Sequence, residues 1–196
     1  MQEDKNKIKL PKFDPTLFEE ERSGLLMDPE KVLEEAGISE GEKVADFGCG
    51  IGFYTIPAAK KVGERGIVFA LDVNKDFLDV VNSKATYENL SNIKTILIDL
   101  EKVPLNLEEP IDWVLVIDLL YQVQDKEKIF EQAKRILSKD GKVLLIEWKK
   151  EETPLGPPVK DRVSKEELLN LIKKYNFQII KEFDVGRCHK GYILTF

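Results

Sequence analysis

Three glycines at alternate positions, Gly48, Gly50 and Gly52, follow the short strand-like run Lys43-Val44-Ala45-Asp46-Phe47. Backbone at such a junction turns sharply, exposes its N–H groups and lets a ligand approach closely. Asp46 sets a carboxylate two residues ahead of the first glycine. Three further carboxylates close apolar runs: Asp72 after Ile67–Leu71, Asp99 after Ile93–Ile98, and Asp118 after Trp113–Ile117. If these runs are parallel strands, their carboxyl ends share one edge of a sheet, where open α/β folds bind ligands. Asp72 lies 20 positions beyond Gly52, a spacing suited to a carboxylate that grips ribose hydroxyls. A single terminal Asp reads as a cap or a solvated turn. Four beside a glycine loop describe a nucleoside site.

Two cofactor chemistries compete for that site. The dinucleotide fingerprint G-x-G-x-x-G/A requires a small residue at position 53, which is Phe53, and the third glycine arrives one position early as Gly52. A pyrophosphate also prefers a helix N-terminus free of neighbouring carboxylates. A cationic sulfonium and ammonium tolerate an acidic rim, and Asp46 favours the cation.

The elements that must position these groups follow from local signals. Asp28 caps a helix with Pro29 in its first turn and Gly37 beyond its end; Val32, Leu33 and Ala36 mark its buried face. An amphipathic segment spans 53–62, with Pro57 tolerated only near its start. A helix carrying Phe77, Leu78, Val81 and Ala85 follows the second apolar run, and a helix over 126–137 follows the fourth. A turn at Lys139-Asp140-Gly141 leads to a fifth strand over Lys142–Glu147. Near-continuous apolar runs alternating with helices predict a parallel sheet covered on both faces. Residues 149–163, with Pro154, Pro157 and Pro158, form a long connection of the kind that serves as a lid or wall. Ser164 and Glu167 open a helix over 165–175 with a capping box. Strands over 177–184 and 192–196 close the chain, joined closely enough for an antiparallel hairpin.

Composition bounds what such a site serves. The chain has 196 residues, enough for one domain with a short appendage, with 42% hydrophobic and 34% charged residues. Its net charge of −6 argues against nucleic acid and anionic membrane as partners. The 2 cysteines, Cys49 and Cys188, have no metal-ribbon or disulfide spacing. The first residues lack the apolar core of a signal peptide, and no apolar run approaches a membrane span, so a cytoplasmic location is expected.

With these motifs in register, the chain resembles the class I S-adenosylmethionine-dependent methyltransferases, in their small-molecule-type branch. Val44 to Gly52 is similar to that family's first motif, an acidic residue followed by G-x-G-x-G. Ile136-Leu137-Ser138-Lys139-Asp140-Gly141-Lys142-Val143 resembles the branch's helix–turn–strand. The resemblance implies a Rossmann-like α/β fold, a doubly wound seven-stranded sheet of order 3-2-1-4-5-7-6 with its last strand antiparallel. It covers 28–148 most strongly, which divides the chain into an N-terminal cap segment, 1–27, and a methyltransferase domain, 28–196. The implied cofactor is S-adenosyl-L-methionine, held by Asp46, Gly48, Cys49, Gly50, Gly52, Asp72, Val73, Asp99, Leu100, Asp118 and Leu119. In that scheme Asp72 binds both ribose hydroxyls, and Asp99 with the Leu100 backbone meets adenine. Asp46 and the backbone near Asp118 receive the ammonium group.

Methyl transfer from an activated sulfonium relies mainly on positioning and exclusion of water, so a dedicated base is optional. Candidates for the acceptor side are Tyr121 and Gln122 after the fourth strand, Glu147 and Trp148 at the end of the fifth, and Arg187, Cys188, His189 and Lys190 in the closing hairpin. His189, the only histidine, is a candidate base near neutral pH, set against an ordinary solvated hairpin histidine. Tyr121 is a second weak catalytic candidate or a pocket wall, and Arg22 reaches the rim or is a surface charge. No Asn-Pro-Pro-Tyr tetrapeptide, Asp-Asn metal pair, thiol set or double-glutamate loop is present. That leaves a metal-independent transferase acting on a small molecule held under loop 149–163. The alternatives are a protein side-chain methyltransferase, a non-catalytic S-adenosylmethionine-binding protein and, further off, an NAD-dependent dehydrogenase. Residues 149–190 carry 10 basic groups against 7 acidic, which predicts a polar or anionic acceptor.

Overall fold

The first described element is helix α1 (Pro29–Ala36), capped by Asp28, whose carboxylate accepts from Glu30 N–H, and ended by Gly37. In the computed structural model the described residues are 28–153 and 156–196; the expected cap segment 1–27 with Arg22, and Pro154-Leu155, lie outside them. Strands β1 (Lys43–Phe47), β2 (Ile67–Asp72), β3 (Ile93–Leu97), β4 (Ile111–Ile117) and β5 (Leu137–Trp148) are joined through helices α2 (Thr55–Val62), α3 (Lys75–Tyr87) and α4 (Lys126–Ile136). Helix α5 (Lys165–Lys174) and strands β6 (Gln178–Val185) and β7 (His189–Thr195) complete the chain.

All seven strands form one sheet of order β3-β2-β1-β4-β5-β7-β6. The β1–β5 pairs are parallel, and β7 runs antiparallel to both β5 and β6. This is the architecture and strand order expected. Alternation along each strand sends side chains to opposite faces. Ala45, Phe47, Val114, Val116 and Leu145 pack under α4 and α5, while Val44, Val68, Trp113, Leu115 and Ile146 pack with α1 and α2. Burial on both faces explains why the central strands read as continuous apolar runs.

Two elements differ from the sequence reading. The turn expected at Lys139-Asp140-Gly141 lies inside β5: Leu137 already pairs with Ile111, and the register then shifts so that Lys142 pairs with Trp113. The Asp-Gly signal therefore marks an irregularity in a strand that begins where α4 ends. The closing hairpin is also tighter than expected. Val185 pairs with His189, which leaves only residues 186–188 in the turn and places His189 and Lys190 in β7.

Candidate active site

The carboxyl ends of the parallel strands gather the predicted residues on one rim. β1 delivers Asp46 and then the glycine loop. The loop hydrogen bonds across to β2, with Cys49 N–H donating to Leu71 carbonyl at 2.9 Å. Gly50 N–H donates to Asp72 Oδ2 at 2.9 Å, and Asn74 N–H to Asp72 Oδ1 at 2.8 Å. Asp72 therefore holds the loop in place. Burial pushes its carboxyl up from the ordinary value, and the Asn74, Gly50 and Val73 N–H donors oppose that shift.

Gly48 and Gly50 both have positive φ, +68° and +54°, but their surroundings differ. A Cβ on Gly48 would meet Leu119 Cδ1 at 2.8 Å, so the residue after Asp118 seats directly on the loop. A Cβ on Gly50 would meet nothing within 4 Å. Gly50 thus borders an open space beside the Asp72 carboxylate to which its N–H donates. Beside it Val73 is 67% exposed although apolar, a surface suited to an aromatic base. On the far side of the loop Asp46 is buried and accepts from Thr55 Oγ1 at 2.6 Å, which ties β1 to the first turn of α2. Burial, with Asp46 and Asp72 nearby, drives the Cys49 thiol far up and makes it inert.

Asp99 and Leu100 are positioned from the other layer. Asp99 accepts from Glu101 N–H at 3.0 Å and pairs with Lys102 at 2.6 Å, which holds its carboxyl below the ordinary value. Gln132, buried in α4, donates to the Leu100 and Val103 carbonyls and accepts from Leu105 N–H. Glu101 Oε1 accepts from Gln124 and Asp125 N–H, which links the β3 exit to the start of α4. Neither Gln132 nor Glu101 stands out in the sequence, because their partners are backbone atoms more than twenty positions away.

The acceptor half is built differently. Asp118 leaves β4 with φ +52°, rare for a non-glycine residue and a sign of local strain at the rim. Glu147, the penultimate residue of β5, is buried; its Oε1 accepts from Leu120 N–H at 2.6 Å and so shapes the loop that carries Asp118. Burial, then the nearby Asp118 charge, pushes the Glu147 carboxyl well above the ordinary carboxylate range. His189 is not the solvated hairpin histidine of one sequence reading: it is 0% exposed. It pairs with Trp148 across the β5–β7 ladder, the two rings 3.9 Å apart, and its Nε2 lies 3.2 Å from Asp118 Oδ1. Three strands distant in sequence, β4, β5 and β7, thus bring Asp118, Glu147, Trp148 and His189 together. Tyr121 is half-buried against the core under α4, Cys188 is fully buried, and Arg187 is exposed.

Loop 149–163 is pinned onto this group. Arg162 is buried and donates to the Pro157, Lys149 and Glu151 carbonyls at 2.8–2.9 Å, with its guanidinium 5.2 Å from the Trp148 ring. A lone arginine in a proline-rich connection is the only sequence signal of that staple. The lysines of the expected basic wall are partnered: Lys149 with Asp184, and Lys190 with Glu182 and Asp184. Among the described residues, no three of His, Cys, Asp or Glu group as they would around a metal ion. None of the described helices is long and apolar enough to cross a membrane.

A methyltransferase-domain family model matches residues 38–187, which include the glycine loop, all four rim carboxylates and the first of the closing strands, β6. The chain belongs to that family. Its fold is that of the class I S-adenosylmethionine-dependent methyltransferases. A methyltransferase structure from Aquifex aeolicus, described as S-adenosylmethionine dependent, superposes with a TM-score of 0.83 at 30% identity, over 93% of this chain and 98% of that one. A ubiquinone/menaquinone biosynthesis C-methyltransferase from Marinomonas sp. is 28% identical over 67% of this chain and 53% of its own length. A demethylmenaquinone methyltransferase from Lactobacillus johnsonii is 30% identical over 64% of this chain and 51% of its own. The chain therefore spans about half the length of the curated relatives it matches.

Proposed function

We propose that this methyltransferase-family chain transfers a methyl group from S-adenosylmethionine to a small, polar acceptor. The observation that carries the reading is the glycine-loop cradle: open space at Gly50, bounded by the half-buried carboxylate of Asp72, on the rim that the family motif occupies. When bound, S-adenosylmethionine supplies a methyl group already activated on a sulfonium, so the chain's residues need only bind, orient and exclude water. Asp72 has lone pairs left for two ribose hydroxyls while it keeps Gly50 and Asn74 in place. Val73 and Leu100 flank the adenine, and Asp99, oriented by Glu101 N–H, accepts from its amino group. Gly48, Cys49, Gly50 and Gly52 run beneath the methionine part, with Asp46 and the backbone at Asp118-Leu119 beside its ammonium group. Four carboxylates on one rim suit a ligand with two cationic centres and do not suit a pyrophosphate.

The acceptor lies on the Asp118–Trp148 side, walled by Trp148 and loop 149–163. A small molecule is favoured over a protein side chain because Arg162 holds that loop closed over Trp148. The names of the curated relatives, a ubiquinone/menaquinone biosynthesis C-methyltransferase and a demethylmenaquinone methyltransferase, support a small-molecule acceptor. The lysines nearby are committed to Glu182 and Asp184, so recognition there rests on hydrogen bonding more than on net positive charge. Incubation with methyl-labelled S-adenosylmethionine and a metabolite extract tests the reading: label in a low-molecular-weight product is expected. Label in protein alone would establish the side-chain reading, and cofactor binding without any transfer would establish the non-catalytic one.

A further inference from the structure

The buried polar group behind the rim carries a second inference, which rests on the cofactor reading above. Three side-chain atoms there have no hydrogen-bond partner: His189 Nδ1, Glu147 Oε2 and Trp148 Nε1. His189 Nε2 is close enough to Asp118 Oδ1 for an ion pair, at 3.2 Å, yet out of line for a hydrogen bond. A wholly buried imidazole therefore lies within ion-pair distance of the Asp118 carboxylate without a hydrogen bond to it.

We propose that His189, acting through Asp118, takes up the proton shed by the methyl acceptor, so that positive charge passes from the cofactor's sulfonium to a buried imidazolium. In the balanced step, the acceptor atom bonds to the methyl carbon and the carbon–sulfur bond breaks with its electron pair left on sulfur. The acceptor's proton passes to the Asp118 carboxylate and on to His189. The local charge is then the same before and after transfer. Asp118 balances the sulfonium before the step and the imidazolium after it. A low-dielectric site disfavours any scheme that changes its charge. The step requires an acceptor that loses a proton: a hydroxyl, a thiol, an amine bearing hydrogen, or a carbon beside a phenolic hydroxyl.

The charged groups around His189 are few. Asp118 comes from the end of β4, Glu147 from β5, and Arg162 from the loop, above the Trp148 ring that packs at a tilt against the imidazole. Lys149, Lys190 and Asp184 lie along the adjoining strand ends but are paired with one another and with Glu182. Asp118 is thus the partner that decides the charge on His189. His189 is a positioning residue in this scheme, and Asp118 is the group that meets the acceptor.

Because His189 is the only histidine, its imidazole nitrogens give an isolated NMR signal in the unmodified chain. The experiment compares the complexes with S-adenosylmethionine and with S-adenosylhomocysteine at neutral pH, no acceptor being present. The imidazole nitrogens should report a neutral ring with the cationic ligand and a charged ring with the neutral one. Calorimetry in buffers of different ionisation enthalpy should show close to one more proton taken up with S-adenosylhomocysteine, and His189→Asn should abolish that difference. Binding of both ligands with the same imidazole state and the same proton uptake would overturn the proposal and leave the cofactor reading intact. Failure of a folded chain to bind either ligand would overturn both.

Discussion

The two halves of this rim solve the same problem with opposite materials. On the β1–β3 side, the rim groups are glycines and half-exposed carboxylates, the carboxylates held by backbone N–H donors two residues on or, for Asp72, also by the glycine loop. On the β4–β5–β7 side the corresponding groups are buried, come from distant strands, and lean on one another. Asp72 and Asp99 stay hydrated enough to receive a ligand's donors. Asp118, Glu147 and His189 are set where charge is costly and must be balanced. The first arrangement suits the nucleoside part of a cofactor, which methyl transfer leaves unchanged. The second suits bond-making, where charge moves once per turnover.

That contrast is open to breakage by substitution. The largest effect is expected at Gly50. The Cβ of Gly50→Val meets no protein atom within 4 Å, so the fold should lose only about 1–2 kcal/mol for the left-handed backbone. S-adenosylhomocysteine affinity should fall by ~100-fold or more, because the side chain fills the ligand's space; equilibrium unfolding and calorimetry separate the two effects. A parallel loss of stability and binding would mean that the glycine loop is merely structural.

On the other side the order reverses. Glu147→Ala should cost about 2–3 kcal/mol of stability by leaving the Leu119 and Leu120 N–H groups without their acceptor. Cofactor affinity should change much less. Glu147→Gln keeps the acceptor and removes the acid. A carboxyl raised by burial stabilises the fold below the ordinary carboxylate range, and that contribution is lost as pH rises through its folded value. The wild-type chain should therefore lose stability with rising pH above about 4.5, and the Gln variant should lose that part of the slope. Identical slopes in urea melts would show that Glu147 is ionised in the fold.

Smaller effects sharpen the boundary. Arg162→Ala leaves three carbonyls without their donor and frees loop 149–163. It should cost about 1–2 kcal/mol, raise KM for the acceptor and leave cofactor affinity intact. Equal weakening for cofactor and acceptor would place that loop in the cofactor half. Lys102→Ala removes an exposed partner of Asp99 and should shift cofactor affinity by no more than ~twofold.

Sequence legibility divides along the same line. Gly48, Gly50, Asp72 and Asp99 are readable because their roles depend on local turns and on strand ends that alternating hydrophobic runs locate. The strand order and the antiparallel last strand followed from the family motif and the short closing hairpin. His189 was named but its burial was not legible: antiparallel pairing with Trp148 moves it from the expected loop into a strand beneath the rim. Arg162 and Gln132 were missed because each satisfies backbone carbonyls of remote segments, and no residue pattern advertises that. The Asp140-Gly141 turn misled for the complementary reason, a local signal overridden by pairing with β4 on either side of it.

The most direct test of the central claim is calorimetric titration of S-adenosylhomocysteine into the wild-type chain and into Asp72→Ala. The account predicts saturable binding at one site in the wild type and affinity at least ~100-fold lower in the variant, from the loss of charge-assisted hydrogen bonds to two hydroxyls. A folded wild-type chain that gives no binding up to about 1 mM ligand, or that binds NADH tightly instead, would contradict it.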